Sequence, residues 1–395
     1  MSFAAVLDGL RPARATIDLD RLAANFRALQ ALSPVPLMPV VKADAYGHGA
    51  VHVGLRLEGL GAPRLSVAYV EEAAALRAAG VRVPIVVLAG FGRGQVPLLR
   101  EHSLVPIVST GRMLEWILEG ARAGGPPLTV HVKVDTGMTR LGFVPGRFEE
   151  AVARLSEARG VVVEGVMTHL AAADEDEAVT RGQLDLFDAC LARLDARGLR
   201  PALVHACNSA GLAFVRPTHT LARPGLLLYG VRPRPLSPPV SVRPVMTVSA
   251  DIARVQDVPA GTTVSYGGRW VAPRPSRIAT VPFGYADGVP RTDRMRDEGR
   301  MRVRERRVPV AGTVCMDLTM LDVTDAPEVV EGDEAVLFGD DPTAWDVAER
   351  AGTNAWEVLT SIGSRVPRVY VEGGRVVGVE SRYGGTRPGA DPSQG

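Results

Sequence analysis

The first 230 residues alternate between two patterns, and this alternation limits the fold more than any other feature of the chain. Stretches with helical spacing of apolar residues occur at 20–33, 70–79, 111–123, 147–159 and 177–198. Short apolar, β-branched runs typical of buried strands occur at 36–43, 64–69, 84–90, 104–110, 128–136, 161–169, 203–208 and 219–229. Eight such strands alternating with helices predict an α/β fold with a closed, TIM-like (β/α)8 barrel, and an open doubly wound sheet is the alternative.

The pattern changes after Pro235, where Leu-Ser-Pro-Pro (236–239) has the composition of a linker. The rest predicts a mostly β domain with a short helix near 343–351 and strands at 246–255, 277–282, 308–314, 318–323, 334–338 and 368–371. We therefore expect a barrel over 1–240, with its first ~13 residues free to pack against the second domain. The β domain should cover 241–383, and residues 384–395 are predicted to be disordered.

Lysine is scarce in this chain. Of 45 basic residues two are lysine, Lys42 and Lys133, and the other 43 are arginine. Arginine can replace lysine as a solvated cation, but its guanidinium stays protonated and cannot serve as an amine nucleophile or a base. Codon bias in a GC-rich genome explains the scarcity but not the placement of both lysines at the ends of apolar runs, where a Schiff-base lysine could stand.

Charge and cysteine content restrict the partners and the compartment. The formal net charge of +1 is spread along the chain, which argues against nucleic acid or an anionic membrane as a partner. Three scattered cysteines (Cys190, Cys207 and Cys315) are too few for a disulfide framework or a structural zinc site. The N-terminal sequence resembles neither an export signal nor a membrane anchor. We expect a cytoplasmic protein without a metal site.

Polar residues recur where the predicted barrel strands end. They are Lys42, Arg140, His169, Asn208, Ser209 and Arg223. Barrel active sites lie at the carboxyl ends of the strands, and the loops after strands 7 and 8 often bind phosphate through backbone N–H groups. Ser209 with Gly225 and Leu226 suits that role. A phosphate site together with a Schiff-base lysine predicts pyridoxal 5′-phosphate (PLP) as the cofactor.

Seven motifs in this chain resemble those of the PLP-dependent bacterial alanine racemases, in the family's order. They are Val-Val-Lys-Ala-Asp-Ala-Tyr-Gly-His-Gly (40–49), Lys-Val-Asp-Thr-Gly-Met-Thr-Arg-Leu-Gly (133–142), Asn-Ser-Ala (208–210), Arg-Pro-Gly (223–225), Val-Ser-Tyr-Gly (264–267), Gly-Tyr-Ala-Asp-Gly (284–288) and Cys-Met-Asp (315–317). The resemblance runs from about residue 17 to residue 368. It implies an isomerase that interconverts L- and D-alanine and supplies D-alanine for peptidoglycan synthesis in the cell wall.

The resemblance also implies roles for individual residues. Lys42 is the Schiff-base lysine and the base on one face of the substrate, and Tyr266 of the partner subunit is the base on the other face, so the enzyme is a homodimer with shared active sites. The implied cofactor-binding residues are Lys42, Tyr46, His169, Asn208, Ser209, Arg223, Gly225 and Leu226. The implied substrate-binding residues are Arg140, Met316, Tyr285 and Asp317. Lys133 can carry a carbamate that orients Arg140.

Two rival functions remain open. Amino-acid decarboxylases share the fold, but they pair the pyridine nitrogen of PLP with an acid, and Arg223 argues against them. Non-catalytic PLP carriers typically lack the β domain, so Tyr266 argues against that class. Two residues depart from the family pattern: Thr139 replaces the usual glycine beside Arg140, and Ser364 stands where many relatives have a phosphate-binding tyrosine. The preference for alanine over serine is left open.

Overall fold

The structure, a computed structural model, describes residues 10–382 and 385–388. The chain divides into two compact units. The first contains residues 10–22, 46–49 and those from 243 onward, and the second contains 23–45 and 50–242. Strand β1 (Ala13–Asp18) pairs with strands of the C-terminal region and not with the barrel, so residues 10–22 belong to the first unit. Residues 1–9 lie outside the described chain.

Eleven α-helices occur among the described residues. They are α1 (Leu19–Leu32), α2 (Lys42–Gly47), α3 (Ala50–Gly59), α4 (Val70–Ala78), α5 (Val96–Glu101), α6 (Gly111–Arg122), α7 (Pro145–Glu157), α8 (Glu177–Asp195), α9 (Asp293–Glu298), α10 (Ala344–Ala351) and α11 (Ala355–Thr360). Across residues 10–382 and 385–388, no helix combines the length and apolar character needed to cross a membrane.

The second unit is built on a parallel sheet of six strands in sequential order. These are β2 (Leu65–Val67), β3 (Ile85–Val87), β4 (Leu104–Val108), β5 (Leu128–Lys133), β6 (Val161–Met167) and β7 (Leu203–His205). Part of its interior is an apolar cluster formed by Met38, Val86, Val105, Ile107 and Met167. All five helices predicted for this region are present, and two of them begin at side-chain caps, Thr110 on α6 and Asp176 on α8.

The two edges of this sheet are joined through segments that contain the first and last predicted strands. Isolated parallel bridges link Leu37 to Ala222 and Val40 to Ser66, and a third links the end of β7 to Leu221. Prolines at positions 36, 39 and 224 lack the N–H that a continuous ladder needs, so these segments form bridges and not full strands. The links exclude the open-sheet alternative, and the predicted (β/α)8 fold class is confirmed.

The first unit is mostly β. Its strands, besides β1, are β8 (Met246–Asp251), β9 (Arg254–Val258), β10 (Thr263–Val264), β11 (Trp270–Val271), β12 (Ser276–Val281), β13 (Arg300–Val303), β14 (Arg306–Pro309), β15 (Thr319–Asp322), β16 (Glu334–Phe338), β17 (Arg368–Glu372), β18 (Arg375–Ser381) and β19 (Gly385–Pro388). Eight form one sheet in the order β14-β13-β16-β8-β1-β17-β18-β19, and three form a second in the order β15-β12-β9. The predicted helix near 343–351 is present as α10.

Two expectations for this region differ from the structure. The single strand predicted over 246–255 is two strands, because the chain leaves β8 at Ile252 and continues as β9 in the other sheet. Within the tail predicted to be disordered, residues 385–388 form β19, which takes up the open edge of β18. The rest of that tail, residue 384 and residues 389–395, lies outside the described residues.

Candidate active site

The segment after Lys42 turns in an unusual direction. Ala43, Asp44, Ala45 and Tyr46 in α2 all have φ between 51° and 56°, which is the left-handed region. For residues other than glycine this costs ~1–2 kcal/mol each, so the surroundings must hold the turn. The Ala43 N–H donates to Glu72 Oε1 (2.6 Å), and the Ala50 N–H donates to Asp44 Oδ1 (2.7 Å). The turn fixes Lys42 at the carboxyl end of the first barrel segment.

Both lysines are placed where the amine loses its proton more easily than in water. Burial, and then the charge of Arg140, lower the pKa of Lys42. Lys133, the last residue of β5, is 4% exposed, and burial together with Arg140 and Arg223 lowers its pKa to about 8. A lowered pKa increases the fraction of neutral amine near neutral pH, and the neutral amine is the form that attacks carbonyl carbon.

Arg223 is a buried cation held by several acceptors. Its Nη1 donates to His205 Nδ1 (2.7 Å), and its Nη2 donates to the carbonyls of Thr168 (2.9 Å) and Ala206 (2.8 Å) and lies 3.3 Å from His169 Nδ1. Burial lowers the pKa of Arg223 to about 10, so the guanidinium stays charged at neutral pH. Burial also keeps the pKa of His169 well below its usual value, so its imidazole is neutral.

The loops after β7 and after the last barrel segment meet at Ser209. Ser209 Oγ accepts hydrogen bonds from the N–H groups of Gly225 (2.9 Å) and Leu227 (3.2 Å). Leu226 begins a short 3₁₀ helix, Leu226–Tyr229, and Asn208 Oδ1 accepts from the Gly211 N–H (2.9 Å). The structure thus brings the predicted phosphate-binding residues of the barrel together at the start of this short helix.

Arg140 lies in a compact loop after β5. Asp135 Oδ1 accepts from the N–H groups of Gly137, Met138 and Thr139 at 2.9 to 3.1 Å, and this shapes the loop. Thr139 has φ 53°, a conformation that favours glycine. Arg140 itself is exposed.

The remaining predicted residues belong to the first unit. Tyr266 is 69% exposed, Met316 52% and Tyr285 40%. The loops of Tyr285 and Met316 are tied together, because the Tyr285 N–H donates to the Cys315 carbonyl (3.0 Å). The loop of Tyr266 is tied to the same segment, because Thr313 Oγ1 donates to the Tyr266 carbonyl (3.3 Å). Tyr46 is 8% exposed, and burial raises the pKa of its phenol, so it is a hydroxyl donor at neutral pH.

Residues 17–233 match the family described as Alanine racemase, N-terminal domain, and residues 245–370 match Alanine racemase, C-terminal domain. The chain belongs to the alanine racemase family. An alanine racemase of Sorangium cellulosum is 42% identical over 383 residues, covering 92% of this chain and 100% of that protein. The solved alanine racemase of Streptomyces lavendulae is 39% identical, with a TM-score of 0.85 over 92% of this chain and 98% of the other. The solved alanine racemase of Bacillus anthracis, with bound L-Ala-P, is 32% identical, with a TM-score of 0.86 over 94% of this chain and 98% of the other.

Alanine racemases use PLP, and the barrel of this chain has groups that fit it. The described contacts of Arg223 occupy one hydrogen on Nη1 and both on Nη2, and a guanidinium has five N–H donors in all. Donors are therefore left for a ring nitrogen. Lys42 offers an amine with a lowered pKa, and Ser209 is a hydroxyl beside the Gly225 loop, where the phosphate is predicted to bind.

The sequence did not reveal which residues support Arg223 within this racemase fold. His131 and His205 are hydrogen-bonded to each other, and the line they form ends on Arg223. Glu164 continues that line. The available signal was a polar residue inside an apolar strand, as in Val-His-Val (130–132) and Val-Glu-Gly-Val (163–166), which is costly unless it is partnered.

Proposed function

We propose that this chain is an alanine racemase that interconverts L- and D-alanine with PLP. The observation that carries the proposal is Arg223, a buried guanidinium with spare donors on the barrel face that also bears Lys42. The Bacillus anthracis relative was solved with L-Ala-P, whose name denotes an alanine analogue, and this supports alanine as the substrate. D-alanine made by this reaction would serve peptidoglycan synthesis.

The cofactor, when bound, withdraws electrons from the substrate Cα–H bond and so makes that proton easier to remove. Lys42 would hold the cofactor covalently and act as the base on one face of the substrate. Tyr266 of the partner subunit would act on the opposite face, so that a proton removed from one side returns on the other. Tyr46, His169, Asn208, Ser209, Gly225 and Leu226 would complete the cofactor site.

Arg223 would set the electronic character of the cofactor ring. Because a guanidinium is always a donor, a ring nitrogen facing it must accept and stays unprotonated. An unprotonated ring withdraws electrons more weakly, which suppresses side reactions such as transamination. Decarboxylases of this fold place an acid there, and the observed Arg223 therefore favours racemisation.

Arg140 would meet the substrate carboxylate together with Met316, Tyr285 and Asp317, and Lys133 would act on Arg140. With a pKa of about 8, Lys133 has an appreciable fraction of neutral amine near neutral pH. That amine can add to CO2 with loss of one proton, and the resulting carbamate is an anion able to orient Arg140. The lowered pKa supports this modification.

We further propose a cytoplasmic homodimer with shared active sites. The exposed Tyr266, Tyr285 and Met316, together with Leu318 at 40% exposure, lie on loops of one unit and are large enough to anchor an interface. All three cysteines are free thiols, which suits a reducing compartment.

The decisive experiment is a coupled assay of the purified protein, loaded with PLP, against a panel of L- and D-amino acids that includes alanine and serine. Borohydride reduction followed by peptide mapping should place the cofactor on Lys42. Label on Lys133, or decarboxylation without racemisation, would refute the assignment. Racemisation of serine at the rate of alanine would refute the choice of substrate alone.

A further inference from the structure

A line of buried side chains runs through the barrel interior behind Arg223. Arg223 Nη1 lies 2.7 Å from His205 Nδ1, and His205 Nε2 lies 2.8 Å from His131 Nδ1. His131 Nε2 lies 3.1 Å from Glu164 Oε2. Both histidines are fully buried, and they come from β7 and β5, while Glu164 comes from β6 between them.

The chemistry of the two ends fixes the direction of every hydrogen bond in this line. Arg223 has only donors, so His205 Nδ1 accepts and the proton of His205 must sit on Nε2. That N–H donates to His131 Nδ1, which leaves the proton of His131 on Nε2, facing a carboxylate that only accepts. Burial lowers the pKa of both histidines, in agreement with two neutral rings. Reversing either ring would place two donors or two acceptors against each other.

The far end of the line is anchored at the opposite face of the barrel. Arg64 holds the carboxylate of Glu164 with two hydrogen bonds, of 2.9 and 2.7 Å. The hydrogen bond from His131 and the contacts with Arg64 lower the pKa of Glu164 to about 2, so it is ionised at neutral pH. Both residues line a cavity with Leu104 and Leu128, the first residues of β4 and β5. The side chain of Glu164, from the middle of β6, therefore reaches the cavity at the amino ends of the neighbouring strands.

We propose that Glu164 and His131 are positioning residues for Arg223, acting through the tautomer of His205. The carboxylate keeps the proton of His131 on Nε2, and His131 in turn keeps His205 Nδ1 free to accept from Arg223. One Nη1 hydrogen is thereby fixed, and the guanidinium is held with its spare donors toward the cofactor ring nitrogen. This inference rests on the proposed function, because it concerns the same site.

Two replacements separate this role from a structural ion pair. Glu164→Gln leaves a single acceptor oxygen for which Arg64 and His131 compete, so the direction of the line is fixed from the Arg223 end alone and the preference for one tautomer is weaker. Arg64→Met removes the same ion pair but keeps the carboxylate for His131. Glu149→Gln is the matched control, because Glu149 is also buried and paired with an arginine, Arg193 (2.6 Å), but lies on helix α7 outside the line.

The first readout is ¹⁵N NMR of histidine-labelled protein with and without PLP, which is tractable with seven histidines. In the wild type and in Arg64→Met, His131 and His205 should each show a single neutral form with the proton on Nε2. In Glu164→Gln one or both should become mixtures. The same variant should bind PLP more weakly, and its kcat should fall about tenfold with the alanine KM within about twofold. In Arg64→Met and Glu149→Gln, the PLP affinity, the kcat and the alanine KM should each stay within about twofold of the wild-type value.

Equal losses in Glu164→Gln and Arg64→Met would overturn the proposal in favour of a structural ion pair. A wild-type proton on Nδ1 of either ring, or Glu164→Gln indistinguishable from wild type, would overturn it as well. If the wild type binds PLP but does not racemise alanine, the proposed function fails. The role of Glu164 is then still decided by the tautomers of His131 and His205 and by the PLP affinity of the variants.

Discussion

Asp287 is a fully buried carboxylate that ties three segments of the first unit together. Arg11 donates to both of its oxygens (2.6 and 3.1 Å), and Arg365 Nε donates to Oδ1 (2.7 Å). The Gly284 N–H donates to Oδ2 (3.0 Å). Because Arg365 also bonds Asp317, Asp287 fixes two loops that carry proposed substrate-binding residues.

The replacement Asp287→Asn removes the negative charge from between two guanidiniums and turns amide donors toward them. Breaking a buried ion pair by removing one partner costs ~3–5 kcal/mol. The side chains of Arg11 and Arg365 are 29% and 27% exposed, so water screens part of the loss. We therefore expect the free energy of unfolding to fall by ~3 kcal/mol, at the lower end of that range. The alanine KM should also rise, because the loop of Asp317 loses its anchor.

Urea denaturation at pH 7 measures the effect, and Asp293→Asn is the control. Asp293 also pairs with an arginine, Arg296 (2.6 Å), but its side chain is 81% exposed, so a change below ~0.5 kcal/mol is expected. Burial alone would raise the pKa of Asp287, but Arg11, Arg365 and the Gly284 N–H together lower it. The stabilisation is therefore complete above the unfolded pKa of ~3.9 and is lost as the pH falls through the lower folded value.

The difference between wild type and Asp287→Asn should accordingly be constant from pH 7 down to about pH 5 and should shrink at more acid pH. The reasoning is refuted if the free energy of unfolding of Asp287→Asn at pH 7 is within ~0.5 kcal/mol of the wild-type value. It is also refuted if the difference between the two free energies grows as the pH falls.

Three further predictions concern the proposed chemistry. Arg223→Glu should lower racemisation steeply and make transamination detectable, and unchanged racemisation would argue against Arg223 as the partner of the ring nitrogen. Because the pKa of Lys133 is lowered to about 8, the ¹³C NMR signal of a carbamate formed from labelled bicarbonate should grow between about pH 7 and 9, and it should be absent in Lys133→Arg. Lys42→Ala chains mixed with Tyr266→Phe chains under exchange should recover about a quarter of wild-type activity, since about half of the dimers are mixed and have one intact site of two. No recovery despite proven exchange would refute the cross-subunit role.

Local pattern was sufficient for the helices of the barrel. The spacing that predicts a helix over 111–123 corresponds to α6, Gly111–Arg122, and Thr110 accepts from the Met113 N–H where that helix begins. The apolar periodicity lies within the helix and the cap is the residue before it. The residues that determine this helix are therefore close together in the sequence, which is why the local pattern predicts it.

Pairing over long distances was not visible in the sequence. Strand β1 was not predicted, because its partners, strands β17 and β8, lie more than 200 residues away and the strand itself is only 6 residues long. The left-handed turn at Ala43–Tyr46 contains no glycine, and Gly47 comes only after it, so the residue types did not predict the turn. Its conformation is explained by tertiary contacts such as the hydrogen bond from Ala43 to Glu72.

The structure gives a physical reason why arginine occupies most basic positions of this chain and lysine only two. Arg77 donates to four backbone carbonyls, those of Val81, Val83, His102 and Ser103, and a single ammonium has too few donors for this. Lys42 and Lys133 occupy sites where burial lowers the pKa, which would be of no use for a guanidinium that must stay charged. Codon bias can therefore exchange lysine for arginine wherever a cation or a fixed donor is needed, and both remaining lysines lie where the proposed chemistry requires the side chain to give up a proton.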